Sequence, residues 1–190
     1  MNIGFALCGS FCTFDRVLPL IKDLTDAGHD ITPILSFQAA ALDTRFGTAA
    51  SWIEKLAYLT GHPPMRTLTE VEPIGPQGLF DLLVVAPCTG TTLGKLACGI
   101  SDTPVALAVK SHLRRSRPVI LGISTNDALG ASMRNIAVLK NSKHIYFIPM
   151  RQDDPVNKPN SLVADFSKLP GTVDAAMAGN QVQPLFTTNA

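Results

Sequence analysis

The sequence predicts an α/β fold built on a parallel sheet covered by helices on both faces. Two observations carry that prediction. Short apolar runs alternate with helical segments along the whole length. Several runs, at residues 3–8, 82–86 and 119–123, are apolar throughout rather than on alternate positions, as in a strand buried on both faces. Sheets of this kind bind ligands at the carboxyl ends of their strands.

The elements follow in order. Residues 3–8 form a first buried strand that stops at Gly9. Thr13 is placed to cap a helix whose apolar positions Val17, Leu20, Ile21 and Leu24 follow helical spacing, and Gly28 closes it. Residues 31–35 form a second strand. Pro33 cannot donate to a ladder, so this strand belongs at an edge or carries a bulge. Ser51 and Glu54 have capping-box spacing for a helix running to Thr60 and Gly61. Residues 65–68 are a weak strand candidate. Residues 81–86 are the strongest strand and end at Pro87. A short helix from Thr92 to Cys98 comes next, and Thr103-Pro104 starts another. Residues 119–123 form a strand, after which Asn126 or Asp127 begins a helix. Residues 145–148 are read as the last strand, 151–160 as a polar loop, and Thr172 as the cap of a final helix ending at Gly179.

A length of 190 residues suits one domain, spanning 1–190, on a scale of ~100–200 residues each. Charged residues are only 16%, against about 25% in typical soluble domains, so part of the exterior is expected to be covered by other subunits. A net charge of +1 leaves no field to recruit nucleic acid or a membrane surface. The basic clusters around Arg114–Arg117 and Lys140–Lys143 fall where helices should end, where cations complement the helix dipole. No apolar run reaches the ~20 residues that span a bilayer, and no signal-peptide pattern precedes the first strand. Cys8, Cys12, Cys88 and Cys98 lack scaffold or zinc spacing and read as free thiols of a reducing cytoplasm.

Four loops after strands are rich in small polar groups: Gly9, Ser10, Phe11, Cys12 and Thr13; the segment from Ser36; Pro87, Cys88, Thr89, Gly90, Thr91 and Thr92; and Ser124, Thr125, Asn126 and Asp127. Small residues let backbone N–H groups approach an anion, hydroxyls add hydrogen bonds, and a following helix adds its positive end. Converging at one sheet end, such loops would make a phosphate or nucleotide site. Taken singly, each is a cap or tight turn. The first strand is not followed by GxGxxG, and neither GxxxxGK[ST] nor GxSxG occurs, so nicotinamide binding, a P-loop and the α/β-hydrolase elbow are not supported for this chain.

Residues 87–99 (PCTGTTLGKLACG), followed by Ile100, Ser101 and Asp102, resemble the PASANT loop and following helix of the flavoprotein family, which includes FMN-dependent cysteine decarboxylases and flavin prenyltransferases. Asn126 matches the asparagine of the decarboxylases' second motif, proline-x-methionine-asparagine. Thr91 stands where their first motif has asparagine, and Thr125 where the second has methionine. The stretches 44–47, 124–130, 152–155, 158–164 and 183–185 extend the resemblance over nearly all 190 residues. They point to a branch of the family in which the chain is one of two different subunits making dipicolinate.

The resemblance implies a Rossmann-like three-layer α/β/α sandwich with a mostly parallel, doubly wound sheet, assembled as a homo-oligomer of three or more copies. It implies FMN, or another phosphate-bearing ligand, on the loops above. It implies a partner of a second kind that carries NAD(P), a small dicarboxylate substrate, and a cytoplasmic place in the mother cell of a sporulating bacterium. The redox role would be oxidation of a dihydropyridine; the alternatives are a cysteine decarboxylase-like enzyme and a non-catalytic scaffold. Arg45, with Lys110 and Arg151, is a candidate clamp for substrate carboxylates, because guanidinium binds them with two parallel bonds. His62, in a Gly-His-Pro-Pro turn, reads as a surface residue, and Cys12 and Cys88 as small packing residues.

Overall fold

A computed structural model describes residues 1–188; the last two residues of the expected 1–190 domain lie outside the described residues. The chain opens with β1 (Asn2–Leu7), a single 3-10 turn at Phe11–Thr13, and α1 (Phe14–Asp26). It continues through β2 (Asp30–Leu35), α2 (Phe37–Ala41), α3 (Ala49–Thr60), α4 (Leu68–Val71) and α5 (Ile74–Gln77). Then come β3 (Leu82–Cys88), α6 (Gly90–Ala97), α7 (Pro104–Leu113), β4 (Val119–Thr125) and α8 (Met133–Lys140). Three short strands, β5 (Ile145–Phe147), β6 (Met150–Arg151) and β7 (Leu162–Ala164), precede α9 (Leu169–Met177).

The sheet runs β2-β1-β3-β4-β7-β6, and β5 also pairs with β4. The first five strands pair in parallel. Chain order reverses between β1 and β3, where a doubly wound sheet opens a crevice at its carboxyl edge. Side chains alternate between two cores. Ile3, Phe5 and Leu7 of β1 join Leu82 and Val84 of β3 against α1, α3 and α9. Ala6, Leu83, Val85 and Leu121 pack against the helices from α4 to α8. Each fully buried large side chain contributes about 1.5–3 kcal/mol of transfer free energy, so the two apolar faces hold the three layers together. Gly122 permits close packing on the first face: a Cβ there would come 2.9 Å from Ala86 Cβ.

Of the two places open to a strand with Pro33, β2 takes the edge, and among the described residues one bridge, between Ile34 and Met65, forms on its outer side. The basic clusters do fall at the ends of α7 and α8. Other elements differ from expectation. Thr13 makes no side-chain cap; its hydroxyl donates to Ser10 O at 2.6 Å, which tightens the 3-10 turn instead. α3 starts from Thr48, whose hydroxyl accepts from Ser51 N at 3.1 Å, so Ser51 is inside the helix. Residues 65–68 are a bridge and a helix start rather than a strand. β3 runs past Pro87 to Cys88 through a cis Ala86–Pro87 bond and a register shift against β4. Asn126 and Asp127 lie in a turn, and α8 begins six residues after Asp127, at Met133. Thr172 is inside α9 and donates to Lys168 O. The strand at 145 is not the last: β7 pairs antiparallel with Ser124 and Thr125 at the end of β4, and β6 pairs with β7.

Candidate functional site

The reversal point brings together the ends of β1, β3 and β4. Cys8 N donates to Pro87 O at 3.1 Å, which carries the β1–β3 pairing to the edge of the sheet. The loop after β1 is tied to β4 by the hydroxyls of Ser10 and Ser124, 2.8 Å apart. The loop after β3 is set by Thr89, which caps α6 by accepting from Thr92 N at 3.4 Å. Thr92 Oγ1 in turn donates to Cys8 Sγ at 3.2 Å, linking α6 back to β1. Beyond β4, Asp127 Oδ1 accepts from Thr125 Oγ1 at 2.6 Å and Ser132 Oγ at 3.0 Å, which shapes the turn there. Gly90 sits against this turn: a Cβ on it would approach Asp127 Oδ1 and Thr125 Oγ1 to 2.8 Å. Only glycine lets the first turn of α6 come that close.

Two hollows flank this junction and share Gly9, Thr89 and Thr91. The larger, about 520 Å³, also takes Ser10, Gly90, Ser124, Thr125 and Asn126 into its wall. The smaller, about 220 Å³, takes Phe11, Ser36 and Thr92. Ser36 caps α2, its hydroxyl accepting from Ala39 N at 3.2 Å. Pro87 and Cys88, expected at the site, line neither hollow; both are buried within β3, because the strand continues through them. Burial and the neighbouring Cys8 hold the Cys88 thiol well above its ordinary pKa, the hydrogen bond to Cys8 being the larger cause. Cys12 is not a packing residue: it is exposed on the wall of the larger hollow.

The expected carboxylate clamps are elsewhere. Arg45 sits at the exposed tip of a tight turn closed by reciprocal Thr44 and Gly47 backbone bonds of 3.0 and 3.1 Å, and its guanidinium lies 4.9 Å from the Phe46 ring. Lys110 bonds Ser101 Oγ at 3.2 Å beside a separate apolar hollow, and Arg151 borders neither site hollow. The charged side chains that do line the larger hollow are Arg16, Asp127, Asp153 and Lys158. Arg16 lies in the first turn of α1, three positions beyond the loop expected to bind. Asp153 and Lys158 stand on the segment between β6 and β7, which the antiparallel pairing on β4 holds at the site. They form an ion pair of 3.3 Å. Burial pushes Asp153 up, but the Ser161 hydroxyl, its own backbone and Lys158 outweigh that and hold it below the usual carboxylate range. His62 pairs with Asp30 at 2.7 Å on the surface, and none of the four histidines lines either hollow.

Chemically, the junction presents hydroxyls, glycine backbone and a helix N-terminus, with apolar patches from Phe11, Leu42 and Val163. That defines a class: a doubly wound α/β protein whose switch-point crevice suits an anionic ligand carrying a flat apolar part. Within that class the chain belongs to the flavoprotein family, whose profile matches residues 1–175. It is 44% identical over 188 residues to the B subunit of dipicolinate synthase from Bacillus subtilis (strain 168), covering 99% of this chain and 94% of that one. The crystal structure of the corresponding B subunit from Bacillus halodurans superposes with a TM-score of 0.91 at 42% identity, covering 100% of this chain and 97% of that one. The fold also matches Burkholderia xenovorans DmrB in complex with FMN, with a TM-score of 0.70 at 17% identity over 93% and 95% of the two chains. Among the described residues no helix is long and apolar enough to cross a membrane.

Proposed function

We propose that this chain is the flavin-binding subunit of a two-subunit oxidoreductase. With a nicotinamide-binding partner, the A subunit of dipicolinate synthase, it oxidises dihydrodipicolinate to dipicolinate in the cytoplasm of the mother cell of a sporulating bacterium. One observation carries this reading: identity of 44% over 99% of the chain with the B subunit of a dipicolinate synthase. Residues 1–190 act as one domain, repeated in a homo-oligomer of three or more copies.

The residues at the junction fit FMN. Its phosphate suits Ser36, Thr89 and the first N–H groups of α6, an eight-residue helix whose N-terminus is capped by a hydroxyl and carries no acidic side chain in its first turn. The apolar patch of Phe11 and Leu42 suits a flat ring. When bound, the flavin supplies a two-electron acceptor. The chain's own residues do the rest. The Ser10–Ser124 pair fixes the ends of β1 and β4 relative to each other. The segment from 152 to 161 brings Asp153, Lys158 and Ser161 to the wall of the larger hollow. The cysteine decarboxylase alternative gains no support, since no histidine stands in either hollow to serve as a proton carrier.

Titrating the purified chain with FMN, followed by quenching of flavin fluorescence, tests cofactor binding directly. Thr89→Val removes the cap and is expected to weaken FMN roughly tenfold, the worth of a hydrogen bond that orders a phosphate-binding turn. Unchanged affinity would remove this loop from the cofactor site. A wild-type chain that stays colourless, yet is required by its nicotinamide-binding partner for dipicolinate formation, would leave the scaffold role in place of the flavin-binding one.

A further inference from the structure

We propose that Arg16 is the residue that binds a carboxylate of the small acid entering the larger hollow; the identity of that acid rests on the proposed function. Four charged side chains line this space, and three of them are already engaged. Lys158 is compensated by Asp153 at 3.3 Å. Asp127 accepts the hydroxyls of Thr125 and Ser132. Arg16 alone among them makes neither an ion pair nor a side-chain hydrogen bond with the described residues. Its guanidinium lies within cation–π reach of one ring, 5.3 Å from the centre of Phe166. A guanidinium carries five N–H donors, so a contact with one ring leaves donors for a further partner, in a fork that matches a carboxylate. Phe166 is itself buried, 3% exposed in the core with residues of α1 and α9. The hydroxyls of Ser10 and Ser124 on the same wall add neutral donors without bringing another negative charge.

The cleft thus separates two anion roles. The capped start of α6 and Ser36 serve a phosphate beside the smaller hollow, and Arg16 serves a carboxylate in the larger one.

The test is isothermal titration of the full chain, with and without FMN, with pyridine-2,6-dicarboxylate as probe and inorganic phosphate as the second arm. Arg16→Gln and Arg16→Lys are compared with wild type, with circular dichroism to verify the fold. Wild type is expected to bind the dicarboxylate in at least one of the two states. Arg16→Gln is expected to weaken it roughly tenfold or more, and Arg16→Lys less, because a lysine keeps the charge and loses the fork. FMN affinity stays unchanged in both variants. The proposal is overturned if Arg16→Gln binds the dicarboxylate as wild type does, or if wild type does not bind it at all. It is also overturned if phosphate or FMN, rather than the dicarboxylate, loses affinity on substitution. Should the two-protein mixture fail to oxidise dihydrodipicolinate while dicarboxylate binding still depends on Arg16, the redox reading falls and this one stands.

Discussion

His112 is 1% exposed in α7, and its Nε2–H donates to Pro118 O at 3.1 Å. Burial, aided by Arg117, pushes its pKa down from 6.5 to about 4, against the opposing pull of the Pro118 carbonyl and Asp81. The unfolded chain therefore binds the proton first as pH falls. Stability from this neutral histidine is complete above pH 6.5 and is lost between there and about pH 4, a change on the order of 3 kcal/mol. Urea unfolding at several pH values should show a slope over this window that His112→Gln flattens; equal slopes for the two proteins would refute it. Gly90 gives a second expectation at this scale. A methyl at that position meets three oxygens at 2.8–2.9 Å, so Gly90→Ala should cost about 1–3 kcal/mol and reduce flavin affinity, read by thermal unfolding and fluorescence titration. Full retention of both would mean that the turn at 125–132 yields freely. Cofactor candidates such as Thr89, Gly90 and Asn126 could be named from sequence because loops after buried strands carry a recognisable mixture of small residues. Arg16 could not, since a lone arginine in the first turn of a helix reads as surface charge until Phe166 and the cleft are placed beside it.

Element boundaries depend on which of several capping residues is used. Ser51 and Glu54 have the capping-box spacing, yet α3 begins at Ala49 because Thr48 can also cap and two alanines favour extending the helix back to it. The same motif does form at Thr67 and Glu70, where Glu70 Oε2 accepts from Arg66 N at 2.6 Å and from Thr67 N at 2.8 Å. Those backbone bonds, that from Arg66 first, hold the Glu70 carboxyl below its ordinary pKa. Thr67→Ala should therefore cost about 1 kcal/mol, while Ser51→Ala should cost a few tenths, a difference that chemical denaturation resolves. The opposite ranking would contradict the assigned caps. Asp127 does not start a helix because its carboxylate is committed to Thr125 and Ser132, which closes a turn instead. β6 and β7, of two and three residues, are too short for any periodicity to reveal. They are nonetheless the elements that hold Asp153 and Lys158 at the cleft.

At the scale of the whole molecule, the order of strands decides where a ligand can go. Apolar runs were enough to place a parallel sheet and its carboxyl-end loops, and Pro33 narrowed β2 to an edge or a bulge, of which the structure takes the edge. The antiparallel extension through β7 was not legible, because its pairing is with the last two residues of β4 and is set by tertiary contacts rather than by local pattern. That extension adds Asp153 and Lys158 to the wall of the larger hollow at the switch point. The central claim is that this chain completes a redox enzyme together with a nicotinamide-binding partner, and reconstitution tests it most directly. The partner protein, dihydrodipicolinate and a nicotinamide cofactor are combined with and without this chain and with and without FMN, and dipicolinate is measured over time. The account predicts that full activity requires the chain and rises with FMN; dipicolinate formed at the full rate by the partner alone would contradict it.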